Sequence, residues 1–265
     1  MENEQKLKKI VKEKYGQIAS NSNKAASCCC SGCCCGSDNN IMYENYDGLN
    51  GYNQDADLGL GCGLPTKFAK IKKGDTVIDL GSGAGNDCFI ARAETGENGK
   101  IIGIDFTPEM VEKARENVKR RGFNNVEFIH GDIDNMPVES NLADVIVSNC
   151  VLNLVPNKHA VFKEIYRVLK PNGHFSISDI VLIGDLPDKI KSAAEMYSGC
   201  VSGAIKKDIY LEFIKETGFK NITIQKETTI IIPDEELSNY LDGNEIKTYK
   251  NNPEIIKSIT VYAEK

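Results

Sequence analysis

The sequence has no apolar run approaching the roughly 20 residues that span a bilayer. Its first ten residues, Met-Glu-Asn-Glu-Gln-Lys-Leu-Lys-Lys-Ile, lack the apolar stretch of a secretory leader. It also lacks long basic runs, and its formal net charge is -6. Duplex nucleic acid and anionic membranes are therefore excluded as expected partners. The largest basic cluster, Lys119-Arg120-Arg121, falls at the end of an expected helix, where cations complement the carbonyl terminus. Histidine is scarce. His130, His159 and His174 have no partners at metal-ligand spacing and are assigned surface or packing roles. These absences place the chain in the cytoplasm, where thiols are kept reduced.

What the sequence has in excess is cysteine. There are 10, and six of them, Cys28, Cys29, Cys30, Cys33, Cys34 and Cys35, form one cluster. The others, Cys62, Cys88, Cys150 and Cys200, are scattered. In a reducing compartment a disulfide framework is not expected, which leaves metal or metalloid binding, or redox chemistry. The cluster itself has three readings: metalloid delivery or resolving thiols, a zinc or copper site at the Cys30-x-x-Cys33 spacing, or a dispensable segment.

The 265 residues suit one sizeable α/β domain with additions. Apolar spacing predicts a helix over 6–18, then a Ser/Asn/Gly/Cys loop over 20–40 and an irregular cap over 41–65. From Thr76 the pattern alternates. Strands are expected at 77–80, 100–104, 126–130, 143–148 and 173–181. Helices are expected at 86–93, 108–121 and 158–170. Thr107, Pro108 and Gly122 bracket the second of these helices, and Pro171 stops the third. Such alternation implies crossover units and a doubly wound, mostly parallel sheet. Further helices are expected at 189–197 and 207–217. Late strands at 221–232 and 256–262 should form an antiparallel hairpin on one sheet edge. The expected division is a cap (1–70), a cofactor-binding core (71–185) and a C-terminal part (186–265) that completes the sheet.

The most informative segment is Asp79-Leu80-Gly81-Ser82-Gly83-Ala84-Gly85, lying after a strand and before a helix. Glycines there let the backbone turn sharply and approach a ligand closely. Asp105 ends the second strand, twenty residues after Gly85, where a carboxylate can accept from ribose hydroxyls. Asp132 and Ile133 follow the third strand, placed to meet an adenine amino group and ring face. Three acidic strand ends around one crevice disfavour a diphosphate and suit a cationic sulfonium ligand. Over about 72–181 the chain resembles the class I S-adenosylmethionine-dependent methyltransferases. Asp79, Gly81, Gly83 and Gly85 match the family's first motif, Asp105 its ribose-binding acid, and Asp132 and Ile133 its adenine-contacting positions. The resemblance implies a seven-stranded Rossmann-like sheet with the cofactor at the carboxyl ends of the strands.

The fourth strand ends in Ser148-Asn149-Cys150, facing that crevice. Asn149 is a candidate contact for the cofactor's methionyl part, or a turn former. Cys62 and Cys200 lie in glycine-flanked segments placed to border the same crevice, whereas Cys88 lies inside a helix and is read as a core thiol. Three thiolates beside a sulfonium methyl suggest a soft, thiophilic acceptor. Trivalent arsenic fits: it takes a pyramidal three-thiolate shell and keeps a lone pair able to attack the methyl carbon in line with the departing sulfur. No general base is needed, only near-attack positioning. Zinc would prefer a closed set of four ligands.

Here the chain is similar to the arsenite methyltransferases over nearly its whole length. The segments that carry the likeness are Tyr15-Gly16, the cysteine-rich loop, Gly61-Cys62-Gly63-Leu64-Pro65, residues 79–87, Ser148-Asn149-Cys150-Val151-Leu152-Asn153-Leu154 and Ser198-Gly199-Cys200-Val201-Ser202-Gly203-Ala204. The resemblance assigns Cys150 and Cys200 to arsenic binding and Cys62 to arsenic transfer and disulfide formation. It implies stepwise methylation of arsenite or thiol-conjugated arsenite, with a thiol reductant such as thioredoxin or glutathione. The sequence departs from the family in two places. Six cluster cysteines stand where a short pair is usual, and the region after Gly203 is short, which bears on the number of methyl groups added. Two alternatives stay open on the residues: a quinone- or sterol-like carbon methyltransferase with incidental cysteines, and a thiol-rich metalloid-binding protein without turnover.

Overall fold

The strands 77–80 and 143–148 read as mostly apolar runs, the signature of strands covered on both faces. The computed structural model, which describes residues 2–21, 44–191, 201, 203–251 and 255–265, shows that arrangement. Five parallel strands, β1 (Thr76–Leu80), β2 (Lys100–Asp105), β3 (Val126–His130), β4 (Ala143–Asn149) and β5 (Leu169–Leu182), stand in the order β3-β2-β1-β4-β5. Side chains alternate across the sheet. Ile78, Leu80, Ile102, Ile104, Ile146 and Phe175 face one apolar layer, and Val77, Ile101, Val145 and Val147 face the other. Asp79 shares the alternation of Val77. It therefore points toward the layer built on α3 (Asn86–Thr95).

The chain runs outward from β1 to β2 and β3, then returns to place β4 on the other side of β1. That reversal opens a crevice at the carboxyl ends of β1 and β4, the usual ligand position in such sheets. Helix α4 (Pro108–Arg121) starts with Pro108 at its first turn and stops at Gly122, whose φ is +67°. Thr107 occupies the N-cap position without a side-chain capping bond. Helix α5 (Lys158–Val168) ends three residues before Pro171. The residue preceding a proline disfavours the helical region, so β5 begins at Leu169, earlier than the apolar pattern suggests. Its pairing with β4 then shifts between Ala143 and Val145, where the stretch containing Pro171 bulges out.

The late strands pair antiparallel at one sheet edge, as expected, and the structure adds their order. β7 (Ile256–Glu264) inserts antiparallel between β5 and β6 (Lys220–Thr229), giving seven strands in the order β3-β2-β1-β4-β5-β7-β6. Burial explains the order. Ile259, Val261 and Ala263 of β7 are fully buried, whereas β6 carries Lys220, Asn221, Glu227 and Thr228 exposed and takes the edge. Helix α1 (Glu2–Asn21) packs on α4. The helix expected at 189–197 is represented by α6 (Asp188–Lys191); 192–200 lie outside the described residues. α7 (Lys207–Thr217) packs on α5, and α8 (Asp234–Leu237) and α9 (Gly243–Lys250) follow β6. No helix among the described residues is long and apolar enough to cross a membrane.

Phe162 of α5 packs edge-on to Tyr210 of α7 and tilted against Phe175 of β5, joining two helices to the sheet. Phe162→Ala is expected to cost ~3–5 kcal/mol of folding stability, because the cavity it leaves is walled by strands that cannot collapse. Urea denaturation measures it; a loss below ~1 kcal/mol would contradict this packing account.

Candidate active site

The turn after β1 holds Gly81, Gly83 and Gly85 at φ +68°, +52° and +99°, backbone conformations that favour glycine. A Cβ on Gly81 would lie 2.3 Å from the Val151 side chain, so the turn fits only by lacking one. A Cβ on Gly83 would meet nothing within 4 Å, because that face opens into the cavity above the crevice. Asp105 fastens the turn to β2: its two carboxylate oxygens accept from the Gly83 amide (2.9 Å) and the Thr107 amide (2.8 Å). Each oxygen keeps a further lone pair for a ligand hydroxyl. The Ser82 hydroxyl, buried at this rim, has no hydrogen-bond partner among the described residues.

The cavity wall is acidic. Asp57, Asp79, Asp87 and Asp105 line it, and no lysine or arginine does so among the described residues. Asp87, in the first turn of α3, accepts from the Tyr46 hydroxyl (2.9 Å), the Asn149 amide (3.3 Å) and the Thr66 hydroxyl (3.4 Å). Burial pushes its carboxyl up to about 6 despite those bonds. Asp79 beside it is raised well above the usual carboxylate range, first by burial and then by the charge of Asp87, while the Cys88 thiol donates to it at 3.3 Å. Two buried acids this close are relieved by a cation, so the cavity prefers a positively charged guest.

The thiols meet this cavity at one edge. Cys150 lines it. Its backbone, at φ +62°, is left-handed, an uncommon state for a residue with a Cβ and worth roughly 1–3 kcal/mol of strain. The Cys150 amide is held by the Ser178 carbonyl at 2.8 Å. Cys62 and Cys150 are buried in one apolar cluster with Leu154, Ile180 and Val201. Tyr210 is close enough to both that their charges help raise its hydroxyl, after burial and Asp179. Asp179 accepts from that hydroxyl at 3.4 Å; burial pushes its carboxyl up to about 7, against the pull of Lys158.

The structure thus brings together Asp79, Gly81, Gly83, Asp105, Asn149 and Cys150 as cavity lining, with Cys62 behind them. Gly85 faces away, packed on Phe128. Asp132 and Ile133 stand apart from this lining: Asp132 is exposed and paired with Lys8 of α1 at 3.1 Å, and Ile133 is buried in the core. Cys200 and the 28–35 cluster lie outside the described residues, although Val201, next to Cys200, is buried with Cys62 and Cys150. Cys88 is a fully buried core residue. His130 bonds the Phe106 carbonyl, His159 stacks on Phe213, and His174 bonds the Ala69 carbonyl. Sequence reading missed Tyr46, Asp87, Asp179 and Tyr210. Asp87 carried a signal, an acid two residues beyond the last glycine. Tyr46 sits in an aperiodic cap and carried none.

A methyltransferase domain family matches residues 71–218, over half of the chain, so the chain belongs to the methyltransferase-domain family. Within that family it is similar to the arsenite methyltransferases. It is 45% identical to that of Halobacterium salinarum over 201 residues, covering 74% of this chain and 51% of the relative. It is 34% identical to that of Homo sapiens over 186 residues, covering 67% and 49%. The crystal structure of an arsenic(III) S-adenosylmethionine methyltransferase from Chlamydomonas reinhardtii superposes with a TM-score of 0.65 at 31% identity, over 77% of this chain and 67% of that one. The chain spans about half the length of the curated relatives it matches.

Replacing Asp105 by Ala would leave the half-buried Gly83 amide and the buried Thr107 amide without their acceptor. Folding stability without ligand should fall by ~1–3 kcal/mol. An unchanged urea midpoint would show that the fastening contributes nothing.

Proposed function

We propose that this chain transfers methyl groups from S-adenosylmethionine to thiolate-bound trivalent arsenic, giving methylated arsenicals. The observation that carries the reading is the position of Cys150. It lines the acidic cavity and shares one buried cluster with Cys62, so a thiol site and a cation site have a common wall. The residues fit the cofactor. Gly83 leaves open space, Asp105 keeps lone pairs for a ribose, the buried Ser82 hydroxyl is unpartnered among the described residues, and the acids suit the cationic end. When bound, the cofactor supplies an electrophilic methyl group on a sulfonium centre.

The chain's own work is to capture arsenic and keep water out. Each cysteine that joins arsenite forms an As–S bond as an As–O bond breaks, and the thiol proton leaves with the hydroxide as water. From thiol-conjugated arsenite, the same exchange releases the conjugating thiol. Cys62 and Cys150 are 1% and 3% exposed, so the bonds form in a site that excludes solvent. Cys200 is the third ligand in this reading; the burial of Val201 supports it. Methylation oxidises the arsenic, so further rounds draw two electrons from the enzyme thiols or from an external thiol such as thioredoxin or glutathione.

Cys150→Ser is expected to abolish methylation of arsenite while leaving S-adenosylmethionine binding intact. Full turnover in that variant, measured with labelled cofactor and a thiol reductant, would remove the mechanism. A second expectation concerns pH. Asp87 is neutral below about 6 and anionic above it, so affinity for the cationic cofactor should rise as pH increases from ~5 to ~7. Asp87→Asn should flatten that profile in calorimetry; a wild-type affinity independent of pH over this window would contradict the charge argument.

A further inference from the structure

The glycines on either side of Cys62 are needed because the chain passes through a tight slot there. A Cβ on Gly61 would lie 2.6 Å from the Asn149 amide nitrogen, and one on Gly63 would lie 2.5 Å from the Ser178 hydroxyl. Within the slot the backbone is held by hydrogen bonds at consecutive groups. The Cys62 amide donates to the Asn149 side-chain oxygen Oδ1 at 3.0 Å. The Asn149 amide donates to the Gly63 carbonyl at 2.7 Å. The Ser258 hydroxyl of β7 donates to the Cys62 carbonyl at 2.6 Å. The remaining reach of the Asn149 amide goes to the Tyr46 hydroxyl and to Asp87.

A carboxamide meets both demands of this position at once. One end must accept from an N–H and the other must donate to a C=O, and a carboxylate or an alkyl group fails one or both. Asn149 is also the residue directly before Cys150. Its side chain therefore ties the segment carrying one buried thiol to the strand end carrying the other.

We propose that Asn149 is a positioning residue for the thiol pair: its carboxamide clamps residues 61–63 so that Cys62 is presented beside Cys150 for one arsenic atom. This rests on the arsenic reading above and differs from a role in contacting the cofactor, because both ends of the amide are engaged by the chain itself.

The test uses the full chain with Cys28, Cys29, Cys30, Cys33, Cys34, Cys35 and Cys200 changed to Ser, so that Cys62 and Cys150 remain as the candidate dithiol. Phenylarsine oxide, a trivalent arsenical that binds tightly only when two thiols reach it together, is the probe. S-adenosylhomocysteine binding reports the cofactor cavity and the fold. Asn149→Ala is expected to lower phenylarsine oxide affinity at least ~10-fold, toward the value of Cys62→Ser, with a smaller loss of S-adenosylhomocysteine affinity, since Asn149 also lines that cavity. Gly61→Ala should reproduce that loss from the opposite side of the same contact, and it carries the test if Asn149→Ala does not fold. Wild-type arsenical affinity in both variants, or a loss confined to S-adenosylhomocysteine, would overturn the proposal. If Cys62→Ser itself binds as tightly as the parent, the thiol-pair reading fails instead.

Discussion

The end of β4 is the constraint on which the site depends. Asn149 is the last residue of β4, still in register with Ser178 of β5, and its side chain takes up the backbone of the cap at residues 61–63. At Cys150 the chain turns through a left-handed conformation that strands cannot use. Two consecutive residues thus fix where the cap crosses the sheet and where the crevice begins. Neither could shift without moving the other, because the Cys150 amide is also tied to Ser178 of β5. Strain at such a position persists only when its surroundings over-determine it, and here three strands and the cap do so.

The electrostatics follow from that geometry. The cap closes over Asp79 and Asp87 and removes them from water, which raises both carboxyls and makes the cavity receptive to a cation. The thiols lie at one edge of the same cavity, among Leu154, Ile180 and Val201, where a hydrated anion would be costly and a neutral, thiophilic centre would not. A soft acceptor and a cationic donor can therefore occupy adjoining spaces without competing. Asp179, Tyr210 and Lys158 add a buried polar group beneath the thiols, within an otherwise apolar layer.

Much of this was legible in the sequence because it was local. The parallel core is written as apolar runs and glycine punctuation, and α4 and α7 keep their expected bounds. Asp105 was readable from its place at a strand end. What was not legible was relational. The insertion of β7 between β5 and β6 depends on which late strand is more apolar on both faces, a comparison between distant segments. The pairing of Asp132 with Lys8 needs a helix from the other end of the chain. The clamp by Asn149 depends on a cap with no periodicity, so only its flanking glycines left a mark in the sequence.

The account comes down to sulfur atoms from distant segments meeting on one arsenic atom. X-ray absorption at the arsenic edge counts them, in protein whose 28–35 cysteines are changed to Ser and which is loaded with arsenite. The account predicts three sulfur neighbours, with one lost in each of Cys62→Ser, Cys150→Ser and Cys200→Ser. Arsenic whose sulfur coordination is the same in all three variants as in the parent would contradict it.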